Sequence, residues 1–138
     1  VGMAVMRRVL VAPCGMNCIL CSRVLDPSKP GCVGCRPGGR GCVHKKGLCT
    51  KLAGQQIYFC FQCESFPCES LLLIEARYNR AHNYSFIENL IYIKKRGMPA
   101  FLRREAKRYT CKKCGKFLTI HNDKCPHCGA ICRRDRRR

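Results

Sequence analysis

Ten cysteines fall within the 55 residues from Cys14 to Cys68, and no other feature limits the choice of fold as severely. Their order is Cys14-x3-Cys18-x2-Cys21, then Cys32-x2-Cys35, the singles Cys42 and Cys49, and finally Cys60-x2-Cys63 with Cys68. Two thiolates separated by two residues can bind the same ion from one tight turn, and three pairs here have that spacing. The large apolar residues of the stretch, Met16, Ile19, Leu20, Phe59, Phe61 and a few others, are too sparse for an unaided core. Ordering each residue costs about 1.5 kcal/mol, so a segment this poor in burial comes out near zero without a staple. A structural zinc site contributes roughly 10 to 16 kcal/mol of apparent binding energy that becomes folding energy. The sequence therefore predicts a metal-dependent module.

Fifteen cysteines without a secretory leader read as metal ligands in a reducing compartment, so a cytoplasmic location is expected. The start, Met6-Arg7-Arg8-Val9-Leu10-Val11-Ala12-Pro13-Cys14, has charge followed by apolar residues, but its apolar run is below the roughly 7 to 15 residues of a leader. No membrane span is expected either. Formal charge is +19, from 27 basic and 8 acidic residues. Each four-thiolate zinc site would carry a net −2, and three of them would still leave the chain at about +13.

Cysteine spacing divides the chain into a cysteine-rich metal module over residues 1–68, a helical segment over 69–109, a zinc ribbon over 110–132 and a basic disordered tail over 133–138. The fold class expected is a small metal-stabilised α+β protein. Residues 26–56 read as loop from their Pro and Gly pairs, and Ile57 to Phe61 has strand character. Phe66-Pro67-Cys68-Glu69 reads as a helix start with proline in the first turn. Leu71 to Arg80 continues that helix, Ser85-Phe86-Ile87-Glu88 is a capping box for a second, and Gly97 stops it. The second helix should bury a stripe of Phe86, Ile87, Leu90 and Ile91. A third helix carries Pro99 in its first turn, with Phe101, Leu102, Ala106 and Tyr109 inward and Arg103, Arg104, Lys107 and Arg108 outward.

Cys14-x3-Cys18-x2-Cys21 is also the spacing by which radical S-adenosylmethionine enzymes hold an iron-sulfur cluster, but the strand and helix alternation of their barrel does not follow it. Taken together, Cys14-Gly15-x2-Cys18-x2-Cys21, Gly34-Cys35-Arg36 and Phe59-Cys60-x2-Cys63-Glu64-x-Phe66-Pro67-Cys68-Glu69 resemble the prokaryotic cysteine-rich domain-of-unknown-function family 3795. Arg77-Tyr78, Phe86-Ile87-Glu88-Asn89-Leu90, Ile93, Gly97 and a terminal CxxCG pair resemble its longer members. The resemblance implies a metal-binding fold in which a helical segment leads into a zinc ribbon, and it brings no activity with it.

Cys111-Lys112-Lys113-Cys114-Gly115 and Cys125-Pro126-His127-Cys128-Gly129 give the most specific motif in the sequence. Two knuckles make one tetrahedral site, each glycine can take a positive φ, and knuckle amides can donate to the thiolates. Lys116 to His121 should supply a strand between them, and Cys132 is the odd thiol, expected to stand free. Of the histidines, His121 and His127 are expected to be bystanders, as is His44 among the N-terminal thiols. Two to three zinc ions are expected in all, two of them among the ten N-terminal cysteines, where iron or an iron-sulfur cluster stays open.

From Lys94 onward there are sixteen Lys and Arg against Glu105, Asp123 and Asp135. That excess predicts a non-catalytic binding module for an acidic partner, RNA or DNA or an acidic protein, through Arg103, Arg104, Lys107, Arg108, Lys112, Lys113, Arg133 and Arg134. The alternative is an iron-sulfur or thiol redox protein using the N-terminal cysteines. No nucleophile with a matching base and no phosphate-binding loop occurs, so the sequence leans away from an enzyme and shows no small-molecule substrate site.

Overall fold

The computed structural model of the chain describes residues 11–21, 25, 58–121 and 123–132. The expected loop over 26–56, with Cys32, Cys35, Cys42, Cys49 and His44, lies outside the described residues, as do the tail residues Arg133 and Arg134. Three helices form the body: α1 (Glu69–His82), α2 (Phe86–Arg96) and α3 (Met98–Arg108). Among the described residues there is no sheet; pairing is confined to the isolated bridges Val11↔Asn17, Thr110↔Phe117 and Lys124↔Ile131. The β half of the expected class is thus reduced to single bridges. The approach to Cys60 and Cys63, expected as a strand, runs from the extended Phe59 into a 3-10 turn over Cys60–Gln62.

Local chemistry explains where each helix begins. Cys68 is the N-cap of α1, so Pro67 stands just before the helix and not in its first turn, and Asn83 closes the far end at φ +53. Ser85 caps α2 by accepting from the Glu88 N–H at 3.0 Å. The rest of that cap comes from a different helix: Glu75 of α1 accepts the Ser85 hydroxyl at 2.5 Å and the Phe86 and Ile87 N–H groups at 2.8 and 3.1 Å. One carboxylate therefore satisfies helix-end donors and fixes the α1–α2 angle. Gly97 separates α2 from α3, and Pro99 sits in the first turn of α3 as expected.

The buried stripe of α2 is Phe86, Asn89, Leu90 and Ile93, whereas Ile91 is exposed and Ile87 half-buried. The predicted stripe was displaced because Asn89, a polar residue, takes a core position. Phe101 and Tyr109 are buried and Leu102 and Ala106 pack against the same core, as the third-helix pattern predicts. That core also takes in Val11, Ala12, Leu20, Phe59, Phe117 and Ile120. Residues from the cysteine-rich stretch, the helices and the segment after α3 thus share one interior.

A chain of buried polar groups ties the first cysteine loop to the helices. The Asn17 N–H donates to the Tyr84 hydroxyl at 3.2 Å, which in turn donates to Glu105 Oε1 at 3.0 Å. Arg104 donates to Glu105 Oε2 at 3.4 Å and to Asn89 Oδ1 at 2.7 Å, and Asn89 Nδ2 donates to the Gly15 carbonyl at 2.9 Å. Both strands of the loop between Cys14 and Cys18 are held by this relay. Glu105 is fully buried, so the charge on Arg104 is needed where it lies. Burial, then the nearby Glu105 and Tyr109, raise the Tyr84 hydroxyl pKa well above its usual value and keep it a donor. Gly15, at φ +95, is required by close approach: a Cβ there would stand 2.5 Å from the Phe86 carbonyl oxygen.

Candidate metal centre

The segments around Cys111 and Cys125 fold into the same turn twice. Gly115 N–H donates to the Cys111 carbonyl at 2.8 Å and Gly129 N–H to the Cys125 carbonyl at 3.0 Å. Each turn is closed from the other side, Cys111 N–H donating to the Lys116 carbonyl at 2.7 Å and Cys125 N–H to that of Ala130 at 2.8 Å. Gly115 and Gly129 have φ of +80 and +79, a conformation costly for residues with a Cβ. Two CxxCG sequences therefore encode two superposable knuckles, with the first cysteine of each buried and the second exposed.

Facing one another, the knuckles gather Cys111, Cys114, Cys125 and Cys128, whose sulfurs all lie within 4.8 Å of one another. Across the gap, Cys111 Sγ is 3.8 Å from Cys128 Sγ, and Cys114 Sγ is 3.7 Å from Cys125 Sγ. Four sulfurs at about 2.3 Å from a tetrahedral zinc stand about 3.8 Å apart, so the cluster has the size of a four-thiolate site. Knuckle amides support the sulfurs, as His127 N–H does for Cys125 Sγ at 3.4 Å.

The thiols are already differentiated. Desolvation pushes Cys111 up, but the N–H groups of Cys114 and Lys113, followed by the thiols of Cys132 and Cys114, outweigh it and lower its pKa to about 6. Cys114 moves the other way: the Lys116 N–H favours its thiolate, but desolvation and donation to Cys125, Cys111 and Cys128 together raise it to about 11. Cys111 is thus favoured as thiolate, while Cys114 and Cys132, both raised, are favoured as thiols.

Cys132 is a free thiol outside the four-cysteine group, as expected, but its Sγ lies 3.5 Å from that of Cys111. The Cys132 N–H donates to the Asp123 carbonyl at 2.8 Å, which ties Cys132 to the residues that lead into the second knuckle. Spacing could not show this, because Cys132 belongs to neither CxxC pair. Neither histidine of this region is among the clustered ligands: His121 packs on Tyr78 and His82, and His127 is exposed.

Six of the ten N-terminal cysteines are described. Cys18 and Cys60 each open a 3-10 turn in which the second cysteine, Cys21 or Cys63, donates its N–H to the first at 3.1 or 3.0 Å. Cys60 N–H donates to the Pro13 carbonyl at 2.9 Å, which brings the second turn beside Cys14. Cys14, Cys18 and Cys60 are buried, while Cys21, Cys63 and Cys68 are half-buried. Among the described residues the only group of three or more ligands at metal-binding distance is the knuckle set.

The cations expected to face an acidic partner divide into two kinds. Arg103, Lys107, Lys112 and Lys113 are exposed and Arg108 is half-buried. Arg104, expected on the outer face, is turned inward: its guanidinium lies 4.3 Å from the Tyr92 ring centre and 14% of its side chain is exposed. The buried Glu105 and Asn89 draw it there, and neither carried a signal in the apolar periodicity. Lys107, Arg108, Lys112 and Lys113 line one cleft of about 500 Å³ together with Thr110, Leu118, Ala130, Ile131 and Cys132. Among the described residues no helix is long and apolar enough to cross a membrane. The chain matches no protein-family model, no curated protein and no solved structure.

Proposed function

We propose that this chain is a non-catalytic module in which zinc, held by Cys111, Cys114, Cys125 and Cys128 as a ribbon, fixes a basic cleft that binds nucleic acid. The observation that carries the reading is the cleft itself. Four cations from two sources, the last turn of α3 and the first knuckle, converge on one concavity, and Cys132 beside the sulfur cluster forms part of its wall. Lys112 and Lys113 sit between two of the four ligands, so metal binding and the placement of these cations are one event. The N-terminal thiols, Cys32, Cys35, Cys42 and Cys49 included, belong to further zinc sites in this reading, as the resemblance to family 3795 implies.

Neutralising phosphates releases counterions, so log affinity should fall with log salt at a slope of about −0.7 to −0.9 per contact. A titration of RNA and DNA across salt tests this. Replacing Lys112 and Lys113 together by Gln should flatten the slope by about two contacts, whereas Arg104→Gln should act on stability and leave it alone. Absence of binding at low salt would refute the reading and leave the basic surface as a solubility feature or a docking face for an acidic protein.

A further inference from the structure

The cleft is only half basic, and the other half narrows what it can hold. Ile131 and Ala130 bring aliphatic surface to the same lining as the cations, and Ile131 is 70% exposed, whereas Leu118 closes the floor with little surface of its own. Thr110 adds to this lining as a methyl group, because its hydroxyl is already donated to the Ala106 carbonyl at 2.5 Å. A volume of about 500 Å³ is that of a small-ligand cleft. A duplex presents a continuous convex backbone with its base faces hidden, so it can meet the rim cations but not the aliphatic wall. An unpaired nucleotide has a phosphate for the one side and an exposed base face for the other.

Resting on the nucleic-acid reading above, we infer that the cleft is a subsite for one unpaired nucleotide of a single strand, its base against Ile131 and its phosphates at Lys112, Lys113 and Lys107. Tyr109 is buried in the core against Tyr84, so no aromatic ring among the described residues of the cleft offers the base a stacking face and the contact is aliphatic. Recognition is therefore by charge and base face, with little sequence preference.

Fluorescence anisotropy of the full zinc-loaded chain tests this with single strands of about twelve nucleotides, the same strand made abasic, and a duplex of equal length. The intact single strand should bind about tenfold tighter than the abasic strand. Ile131→Ser, at an exposed position, should bring the two within about twofold while the salt slope and the metal content stay unchanged. Equal affinity for intact and abasic strands, or tighter binding of the duplex, overturns the inference and leaves a phosphate-reading surface, with the proposed function intact. No binding to any of the three overturns both, and capture of polyglutamate in that case assigns the cleft to an acidic protein.

Discussion

The knuckle pair at Cys111 to Cys128 and the loop from Cys14 to Cys21 are both cysteine-rich and both turn on a glycine of positive φ, yet they differ in what else holds them. Each knuckle is closed by its own backbone bonds and its own glycine, so its shape follows from six consecutive residues. The Cys14 to Cys18 loop also has local bonds, from the Ala12 N–H to the Met16 carbonyl and from the Gly15 N–H to the Ala12 carbonyl. It is held in addition from outside, by Tyr84, Asn89, Arg104 and Glu105 on a distant part of the chain. Apolar burial follows the same division. Besides its cysteines the small cluster around the sulfurs contains Leu118 alone, whereas the N-terminal loop is sealed by Val11, Leu20, Phe86 and Leu90. A region that makes its own turns but little core is expected to depend on a bound ion, and a region positioned by a core on that core.

The largest effect that separates the two is metal removal. A structural zinc contributes about 10 to 16 kcal/mol, far more than one buried leucine. Chelation should abolish hydrogen-exchange protection at the Cys125 and Gly129 amides while the helical circular dichroism of α1 to α3 largely persists. Loss of both together would show that the helices depend on the knuckle metal as well.

Next in size is Glu105→Ala. It leaves Arg104 buried without its carboxylate and should cost about 3–5 kcal/mol in denaturant unfolding. Knuckle metal content should be unchanged, because no atom of that relay touches the four sulfurs. A cost below about 1 kcal/mol would mean that the relay does not hold the N-terminal loop.

Two glycines sharpen the contrast at smaller scale. Gly15→Ala combines an unfavourable φ with a contact of 2.5 Å to backbone, whereas a Cβ at Gly115 meets nothing within 4 Å. Gly115→Ala should cost about 1–2 kcal/mol, from φ alone, and Gly15→Ala clearly more. Equal costs would contradict the packing described around Gly15.

The smallest effect is a pH dependence in the zinc-free chain. Because the Cys111 pKa is lowered to about 6 in the fold, its contribution is fully present above the ordinary thiol value and is lost as pH falls through about 6. Cys114, raised to about 11, contributes below the ordinary value and loses that contribution as pH rises toward 11. Residual order in the knuckles should therefore peak near the ordinary thiol pKa, about 8.5 to 9, in exchange measurements. A monotonic profile would refute this assignment.

What the sequence could show follows from the same division. The CxxCG pairs, the Ser85 cap, Gly97 and Pro99 are local signals, and the four-sulfur cluster and the helix limits at those points lie where they indicate. Asn89, Tyr84 and Glu105 were invisible because their roles depend on partners 15 to 74 positions away. Apolar periodicity reads a buried Asn or Glu as a surface residue, and that displaced both the α2 stripe and Arg104. The Cys132 contact was missed for the related reason that its partner, Cys111, is 21 positions distant.

Metal counting by native mass spectrometry, on the zinc-loaded chain and on Cys114→Ser, tests the central claim most directly. The variant should lose one zinc equivalent and its knuckle protection while keeping the remaining metal and the helices. An unchanged metal count in Cys114→Ser would contradict the assignment of Cys111, Cys114, Cys125 and Cys128 to one shared ion.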